Sequence, residues 1–230
     1  MTGPEAHQDL QKRFWERDGL KQRRGPAHPS VEAYVWPRVE RVRKATGIGA
    51  EGRLLDVGCG DGRFTFHFGK VCKATGVDFS EALVARSLCP DVRRMSAENL
   101  EFPDGSFDVA FEHALLHHVD DPGRVVAEMS RVSRRWVVLC EPNRANPLMF
   151  AYHALVPAER GGLRMSMRHL RGLAERAGLR VASAATHGLS SANWTPAFLA
   201  PLAARFEADQ PLGVSHLLVA EKIAENRRGP

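Results

Sequence analysis

The stretch "LLDVGCGDGR", residues 54–63, decides the fold of this chain. A short apolar run leads into glycines at 58, 60 and 62, and the sequence "RFTFHFGKVC" that follows has the character of a helix. Glycine adopts positive φ without a side-chain penalty and lets the backbone approach a ligand closely. A strand, a glycine bend and a helix in this order predict a ligand site beyond the end of a strand in an open parallel sheet.

Strands and helices are predicted to alternate along the rest of the chain. The predicted strands are "RLLDV" at 53–57, "KATGVDF" at 73–79, "DVRRM" at 91–95, "FDVAFEH" at 107–113, "RWVVLCEP" at 135–142, "RVASAATHG" at 180–188 and "HLLVAEKI" at 216–223. Helices are predicted over 63–72, 80–89, 121–133 and 167–179. Such alternation is typical of a mostly parallel sheet wrapped by helices, an α/β fold.

A further helix is predicted ahead of the first strand, over 30–46. Valines at helical spacing define its buried side, Ser30 is available as the N-cap, and Gly47 is available to end it. Pro37 lies inside the pattern and is expected to kink the helix or split it in two, because proline lacks the backbone N–H.

Composition indicates an ordinary globular protein of 230 residues, with 43% hydrophobic and 26% charged residues. We expect a single domain over 30–225, preceded by a flexible segment over 1–29. No apolar run approaches the ~18 residues of a membrane span, and the first thirty residues hold no apolar block of a secretory signal. Four cysteines without a CxxC pair indicate a reduced chain, so a cytoplasmic location is expected; the oligomeric state stays open.

The net charge of +5 raises the question of a nucleic-acid partner. Residues 1–53 hold an excess of basic residues, but the two signs are interspersed and no block of like charge appears. Aromatic residues do not alternate with basic ones as a base-stacking surface requires. A nucleic-acid partner is therefore not expected.

Two phosphate-binding loops fit the glycine bend poorly. The dinucleotide fingerprint G-x-G-x-x-G requires a glycine where this chain has Arg63, and no G-K-[ST] follows as in a P-loop. The pattern that fits is D-x-G-x-G-x-G, from Asp56 to Gly62.

That pattern resembles the first motif of the class I S-adenosylmethionine-dependent methyltransferases. "GVDFS" at 76–80 and "MSAENLEFPDGSFDVAFEHALLHHVDDP" at 95–122 are similar to the small-molecule branch with UbiE-like sequences, methyltransferase type 11. The resemblance covers about 53–142, with a plausible remainder to about 223. It implies a Rossmann-like seven-stranded sheet of order 3-2-1-4-5-7-6, with the last strand antiparallel and helical lid elements added.

The resemblance implies S-adenosylmethionine as cofactor and S-adenosylhomocysteine as product. Asp56 would face the methionine amino group, Asp78 would hold the ribose hydroxyls, and Phe79 would cover the adenine. Ser96 stands where the family usually has an acid, which weakens the expected hydrogen bond to the adenine. The implied cofactor-binding residues are Asp56, Gly58, Cys59, Gly60, Asp78, Phe79, Ser96, Ala97, Glu98, Glu112 and His113, of which the last two would border the sulfonium.

Catalysis is predicted to rest on His117, with Glu141 orienting it or the acceptor. An imidazole is the natural base where a hydroxyl acceptor must lose a proton. Purely structural roles for both residues remain open, and neighbouring His118 is expected to pack against helices. No metal is expected, because His113, His117 and His118 would have to share one regular helix to ligate the same ion.

Residues 143–166 are too many for a simple connection and are predicted to form a lid with an apolar helical side. Such a lid suits a small organic acceptor of apolar or aromatic character, and contact with a membrane surface is open. The predicted function is methyl transfer to that acceptor, with oxygen favoured and carbon or nitrogen open. The alternatives are an RNA or protein methyltransferase and a non-catalytic S-adenosylmethionine-binding module.

Overall fold

A computed structural model describes residues 10–11, 14–15 and 23–223. The strands are β1 (Arg53–Val57), β2 (Lys73–Asp78), β3 (Val92–Arg94), β4 (Phe107–His113), β5 (Ser133–Pro142), β6 (Leu179–His187) and β7 (Ser215–Lys222). The α-helices of the range 23–223 are α1 (Pro29–Thr46), α2 (Arg63–Phe68), α3 (Glu81–Val84), α4 (Pro122–Val132), α5 (Pro147–Leu155), α6 (Met167–Arg176) and α7 (Ala200–Arg205). Two 3₁₀ segments span Pro157–Arg164 and Ala197–Leu199.

The seven strands form one sheet in the order β3-β2-β1-β4-β5-β7-β6. The first five pair in parallel, and β7 runs antiparallel to both β5 and β6. The predicted sheet order and the antiparallel last strand are confirmed. Because β1 lies between β2 and β4, the bend after β1 lies beside the ends of both of those strands.

Apolar side chains pack on both faces of the sheet. In β5 they alternate: Val137 and Leu139 belong to one buried cluster, and Val138 and Cys140 belong to the other. The period of two along a strand produces this division. Helices α4 and α6 cover the first cluster, and α1 and α2 cover the second. The sheet is therefore the central layer of the domain, with helices on both faces, and a functional site can form at the ends of its strands.

Helix α1 differs from its prediction in two ways. It runs without a break from 29 to 46 although Pro37 lies inside it, and its N-cap is His28, whose Nδ1 accepts the amide of Ser30. The prediction of Ser30 as N-cap is wrong, since a proline at the first helical position favours the earlier start. Burial of the valine side holds the helix together across the proline. Gly47, with φ of 72°, ends the helix as predicted.

Several other elements differ in length from their predictions. Helix α3 is one turn long, because the chain after Val84 forms turns before β3. The predicted lid over 143–166 consists of α5 and the longer 3₁₀ segment. Residues 188–214 form a long connection between β6 and β7, here called the 188–214 excursion, which was not predicted.

Most of the segment 1–29, predicted to be flexible, lies outside the described residues. Its described part contacts the domain, since Nε2 of Gln11 donates to the carbonyl of Ala158 at 2.7 Å. Among the described residues, no helix combines the length and apolar character that crossing a membrane requires.

Candidate functional site

The glycine bend after β1 forms the floor of the site. Gly58, Gly60 and Gly62 have φ values of 71°, 60° and 80°, in the left-handed region that favours glycine. A Cβ at Gly60 would lie 2.7 Å from Nη2 of Arg23, so the guanidinium would have to move to admit a larger residue. The bend therefore brings bare backbone to the edge of the sheet.

Asp78 ties the end of β2 to this bend. Its Oδ2 accepts the amide of Gly60 and its Oδ1 accepts the amide of Ser80, both at 2.8 Å. Burial raises the pKa of the Asp78 carboxyl, and the two amide hydrogen bonds oppose that rise. Since a carboxylate has about four acceptor sites, two remain for further donors.

A cavity of about 550 Å³ opens above the bend, at the carboxyl ends of the parallel strands. Four carboxylates line it, together with the guanidinium groups of Arg23 and Arg63 and five aromatic side chains. The carboxylates belong to Asp56, Asp78, Glu141 and Glu159. An acidic, partly aromatic cavity suits a ligand that carries both positive charge and a flat ring.

Most of the predicted site residues come together in this cavity. Those that line it are Asp56, Gly58, Cys59, Gly60, Asp78, Phe79, His113, His117 and Glu141. Those that do not are Ser96, Ala97, Glu98 and Glu112. The roles assigned to all of them stay predictions.

Residues 96–98 have other contacts in this structure. Ser96 is exposed, and Oε1 of Glu98 accepts the amide of Asp121 at 3.3 Å, ahead of α4. Both residues follow β3, at the same edge of the sheet as Asp78. They lie outside the cavity, so their predicted contact with an adenine edge would require a ligand that extends past Phe79.

Glu112 is fully buried and faces the protein. Its Oε1 accepts the amide of Cys140 at 2.8 Å, and its Oε2 accepts the amide of Leu115 at 3.1 Å. Burial, followed by the nearby carboxylate of Glu141, raises the pKa of Glu112 well above its usual range. The side chain holds the ends of β4 and β5 together. It does not line the cavity, whereas the family resemblance placed it beside the sulfonium.

Asp56 accepts the hydroxyl of Thr65 at 2.6 Å, which fixes its carboxylate against the first turns of α2. Burial raises the pKa of Asp56 to about 7. Nε2 of His113 is hydrogen-bonded to the hydroxyl of Tyr34 at 2.9 Å, and its ring stacks on Phe64 with ring centroids 4.5 Å apart. Burial lowers the pKa of His113 to about 3, so this ring is neutral.

His117 lies between two carboxylates. Its Nδ1 is 2.6 Å from Oε2 of Glu141, and its Nε2 is 3.3 Å from Oε2 of Glu159. Burial opposes the charged ring, but Glu141 and Glu159 outweigh it and raise the pKa of His117 to about 10. A ring that already carries both protons has no free nitrogen, so action as a base would first require the loss of a proton.

Glu159 is the main site residue that the sequence analysis missed. It lies in the lid, and the glycines at 161 and 162 that follow it allow close contact: a Cβ at Gly161 would clash with the carbonyl oxygen of His117. The only signal in the sequence was an acid followed by two adjacent glycines, "ERGG". His153, in the same lid, is buried beside Glu159, and its Nδ1 donates to the Glu159 carbonyl at 3.0 Å.

The roof of the cavity was also missed. Arg23 pairs with Asp61 through two hydrogen bonds of 2.8 and 3.1 Å, and Trp15 lies edge-on to His118 with ring centroids 5.1 Å apart. The excursion between β6 and β7 contributes Asn193 and Trp194 to the lining of the cavity. Nη1 of Arg63 donates to Oδ1 of Asn193 at 2.9 Å. These contacts join segments far apart in sequence.

Comparison with known proteins agrees with this architecture. Residues 55–139 match the family model described as a methyltransferase domain. A magnesium protoporphyrin IX methyltransferase from Synechocystis, solved with bound S-adenosylhomocysteine, is similar in structure with a TM-score of 0.66 at 14% identity, over 94% of this chain and all of the other.

Two curated relatives cover different shares of their own length. A phosphatidylethanolamine N-methyltransferase from Cereibacter sphaeroides is 38% identical over 106 residues, 41% of this chain and 52% of the relative. A ubiquinone biosynthesis O-methyltransferase from Methylococcus capsulatus is 28% identical over 96% of this chain and 93% of the relative. The chain thus spans about half the length of the first relative and nearly all of the second.

Proposed function

We propose that the chain is a class I S-adenosylmethionine-dependent methyltransferase and that it transfers a methyl group to the oxygen of a small apolar or aromatic acceptor. The observation that carries the proposal is the joint position of Gly60 and Asp78. A bend without side chains and a buried acid meet at the floor of the cavity. When bound, S-adenosylmethionine supplies the methyl group on a sulfonium that is already a good leaving group.

The residues of the floor fit this cofactor. The Asp78 carboxylate has two acceptor sites left for the ribose hydroxyls, and the exposed ring of Phe79 is available to stack on the adenine. Asp56 is a buried acid near the bend, suited to the methionine amino group. Arg23 is a cation beside Gly60, suited to the methionine carboxylate.

The acceptor is proposed to lie toward the lid. There the lining is apolar at Leu115, Leu148 and Met149, with Trp194 at the rim and the polar group of His117, Glu141 and Glu159 at one end. An apolar molecule with a single reactive polar atom would match this distribution. The names of the two relatives, a phosphatidylethanolamine N-methyltransferase and an O-methyltransferase of ubiquinone biosynthesis, support an acceptor with a large apolar part.

Two features favour oxygen as the methylated atom. A hydroxyl must lose a proton on methylation, and the ionisable side chains of His117, Glu141 and Glu159 line the end of the cavity. The relative that matches almost the whole chain is an O-methyltransferase. A macromolecular acceptor is disfavoured because Trp15 and the 188–214 excursion line a cavity of small-molecule size.

The proposal is tested by two measurements in sequence. Calorimetry with S-adenosylhomocysteine asks whether the cavity binds the cofactor, and a labelled-methyl assay over phenols, catechols, isoprenoid quinols and amines asks what is methylated. Transfer to a hydroxyl compound supports the proposal. Cofactor binding with no transfer to any small molecule would favour the non-catalytic module.

A further inference from the structure

The polar end of the cavity holds a second arrangement of donors. Nε2 of His117, Nε2 of His118 and Oε2 of Glu159 all lie within 4.8 Å of one another. The carboxylate oxygen is 3.3 Å from the His117 nitrogen and 3.9 Å from the His118 nitrogen. A tetrahedral ion with ligand bonds of about 2.0–2.1 Å holds its donors roughly 3.3–3.5 Å apart. We propose that these three residues bind a divalent first-row transition-metal ion.

The contacts around His117 and Glu159 orient these two donors as in a metal site. Glu141 bonds to Nδ1 of His117 at 2.6 Å and is itself fixed by the amide of Leu116 at 2.7 Å. A proton held on Nδ1 leaves the lone pair on Nε2, and this carboxylate–histidine–metal pattern is common around bound ions. Tyr152 donates to Oε1 of Glu159 at 3.2 Å, which leaves Oε2 for the ion.

Charge favours a cation at this place. His117 and Glu159 are 2% and 7% exposed, and Glu141 is 1% exposed. Two buried carboxylates facing one imidazole leave negative charge in a region of poor solvation, which is costly unless a cation balances it. A divalent ion between His117 and Glu159 provides that balance.

The donor set selects the kind of ion. Two imidazole nitrogens with one carboxylate suit zinc, iron, cobalt or manganese better than magnesium or calcium, which prefer oxygen donors. All three residues line the cavity, so the remaining coordination position opens toward the proposed acceptor. Three protein ligands with one open position are typical of catalytic rather than structural zinc.

The sequence argument against a metal rested on His113, His117 and His118 sharing one helix. The structure assembles a different set, in which the lid supplies Glu159 and His113 faces Tyr34 instead. The ligands therefore come from two distant segments, a combination that local spacing could not reveal.

A role in transfer rests on the proposed function. An acceptor hydroxyl bound to the ion would have a lowered pKa and would lose its proton to water, with the electron pair kept on oxygen. The oxygen would then be a nucleophile without any free histidine base. In the transfer, that oxygen would form a bond to the methyl carbon as the carbon–sulfur bond of the cofactor breaks and its electron pair passes to sulfur. Such an ion would activate an acceptor although both nitrogens of His117 face carboxylates.

The test uses the full chain, freed of metal by dialysis against a chelator and titrated with Co²⁺. We expect stoichiometric binding with visible d–d absorption, reversed by competing Zn²⁺. His118→Gln and Glu159→Gln should each weaken Zn²⁺ binding at least about 100-fold, and Glu141→Gln should weaken it about 10–100-fold. His169→Gln, a histidine outside the cavity, should bind as the wild type does.

Absence of stoichiometric Co²⁺ binding to the wild type would overturn the inference, as would unchanged binding in both His118→Gln and Glu159→Gln. Thermal unfolding shows whether each variant is folded, and the wild-type titration decides even if a variant is not. If the protein binds S-adenosylhomocysteine but no metal, only the proposed metal site is refuted. If it binds metal but no S-adenosylhomocysteine, only the proposed function is refuted.

Discussion

The backbone amide of Gly60 donates to Oδ2 of Asp78 at 2.8 Å, across eighteen positions of sequence. The bond joins the bend after β1 to the last residue of β2, the two parts of the floor that were predicted to bind the cofactor. We therefore expect neither residue to tolerate substitution easily. Gly60 needs positive φ and space for Arg23, and Asp78 is buried with two amides directed at it.

Asp78→Asn should weaken S-adenosylhomocysteine binding at least about 100-fold. The amide keeps the size of the side chain but removes the charge, and two charge-assisted hydrogen bonds to the ribose are worth about 1.5–3 kcal/mol each. Calorimetry measures the loss. Asp104→Asn, an exposed acid far from the cavity, is the matched control and should bind normally. If Asp78→Asn bound S-adenosylhomocysteine with near-native affinity, Asp78 would not be the residue that holds the ribose.

Arg23→Ala should weaken the same ligand by about 10–100-fold, since a charged hydrogen bond to the methionine carboxylate is lost. Arg23→Lys should retain part of the affinity because the charge remains while the paired geometry does not. Arg53→Ala, which removes a guanidinium at the opposite end of β1, serves as control. If Arg23→Ala binds within twofold of the wild type, the cation holds only Asp61 and not the ligand.

His117→Ala should slow methyl transfer by about 10²–10⁴ while leaving S-adenosylhomocysteine affinity within about twofold. His117 lines the lid side of the cavity, where the acceptor is proposed to bind, so the loss belongs to kcat. Single-turnover assays with the acceptor found in the panel measure it, with His169→Ala as control. Unchanged turnover would mean that neither a base nor a metal ligand is needed at this position.

Asp56→Asn should change how stability depends on pH. Burial raises the folded-state pKa of Asp56 to about 7, so the folded state binds a proton that the unfolded chain releases at a pKa of about 4. Between these values the acid makes stability fall as pH rises, by up to about 1.4 kcal/mol per pH unit.

The asparagine variant cannot ionise and therefore lacks this contribution. Its stability relative to the wild type should rise steadily from about pH 4.5 to pH 7 and level off above about pH 7. Urea unfolding of the ligand-free proteins across this range measures the difference. A difference that does not vary with pH would mean that Asp56 ionises freely in the folded chain.

The fold was predictable from sequence because each strand has its own local pattern. Glycines after β1 and an acid ending β2 placed the floor of the site, since parallel strands end at one edge of the sheet. The uninterrupted helix through Pro37 was not predictable in this way. The cost of a missing N–H is local, whereas the burial of Val35 and Val39 that offsets it depends on tertiary packing.

The lid side of the site was harder to predict for the same reason. Glu159 contacts His117 because the chain around Gly161 packs against the loop after β4. The hydrophobic periodicity of the sequence does not predict such a tertiary contact. Arg23 and Trp194 likewise enter the cavity from segments without regular strand or helix patterns. The sequence thus predicted the site residues at the ends of the strands. It did not predict those that lie in the lid and the loops.

Titration of the wild-type protein with S-adenosylhomocysteine tests the central claim most directly, with NAD titrated in parallel. The account predicts saturable binding of the nucleoside at a single site per chain and no binding of NAD, because Arg63 stands where a dinucleotide needs a glycine. Failure to bind S-adenosylhomocysteine, or binding of NAD in its place, would contradict the claim that Gly60 and Asp78 together form a cofactor site.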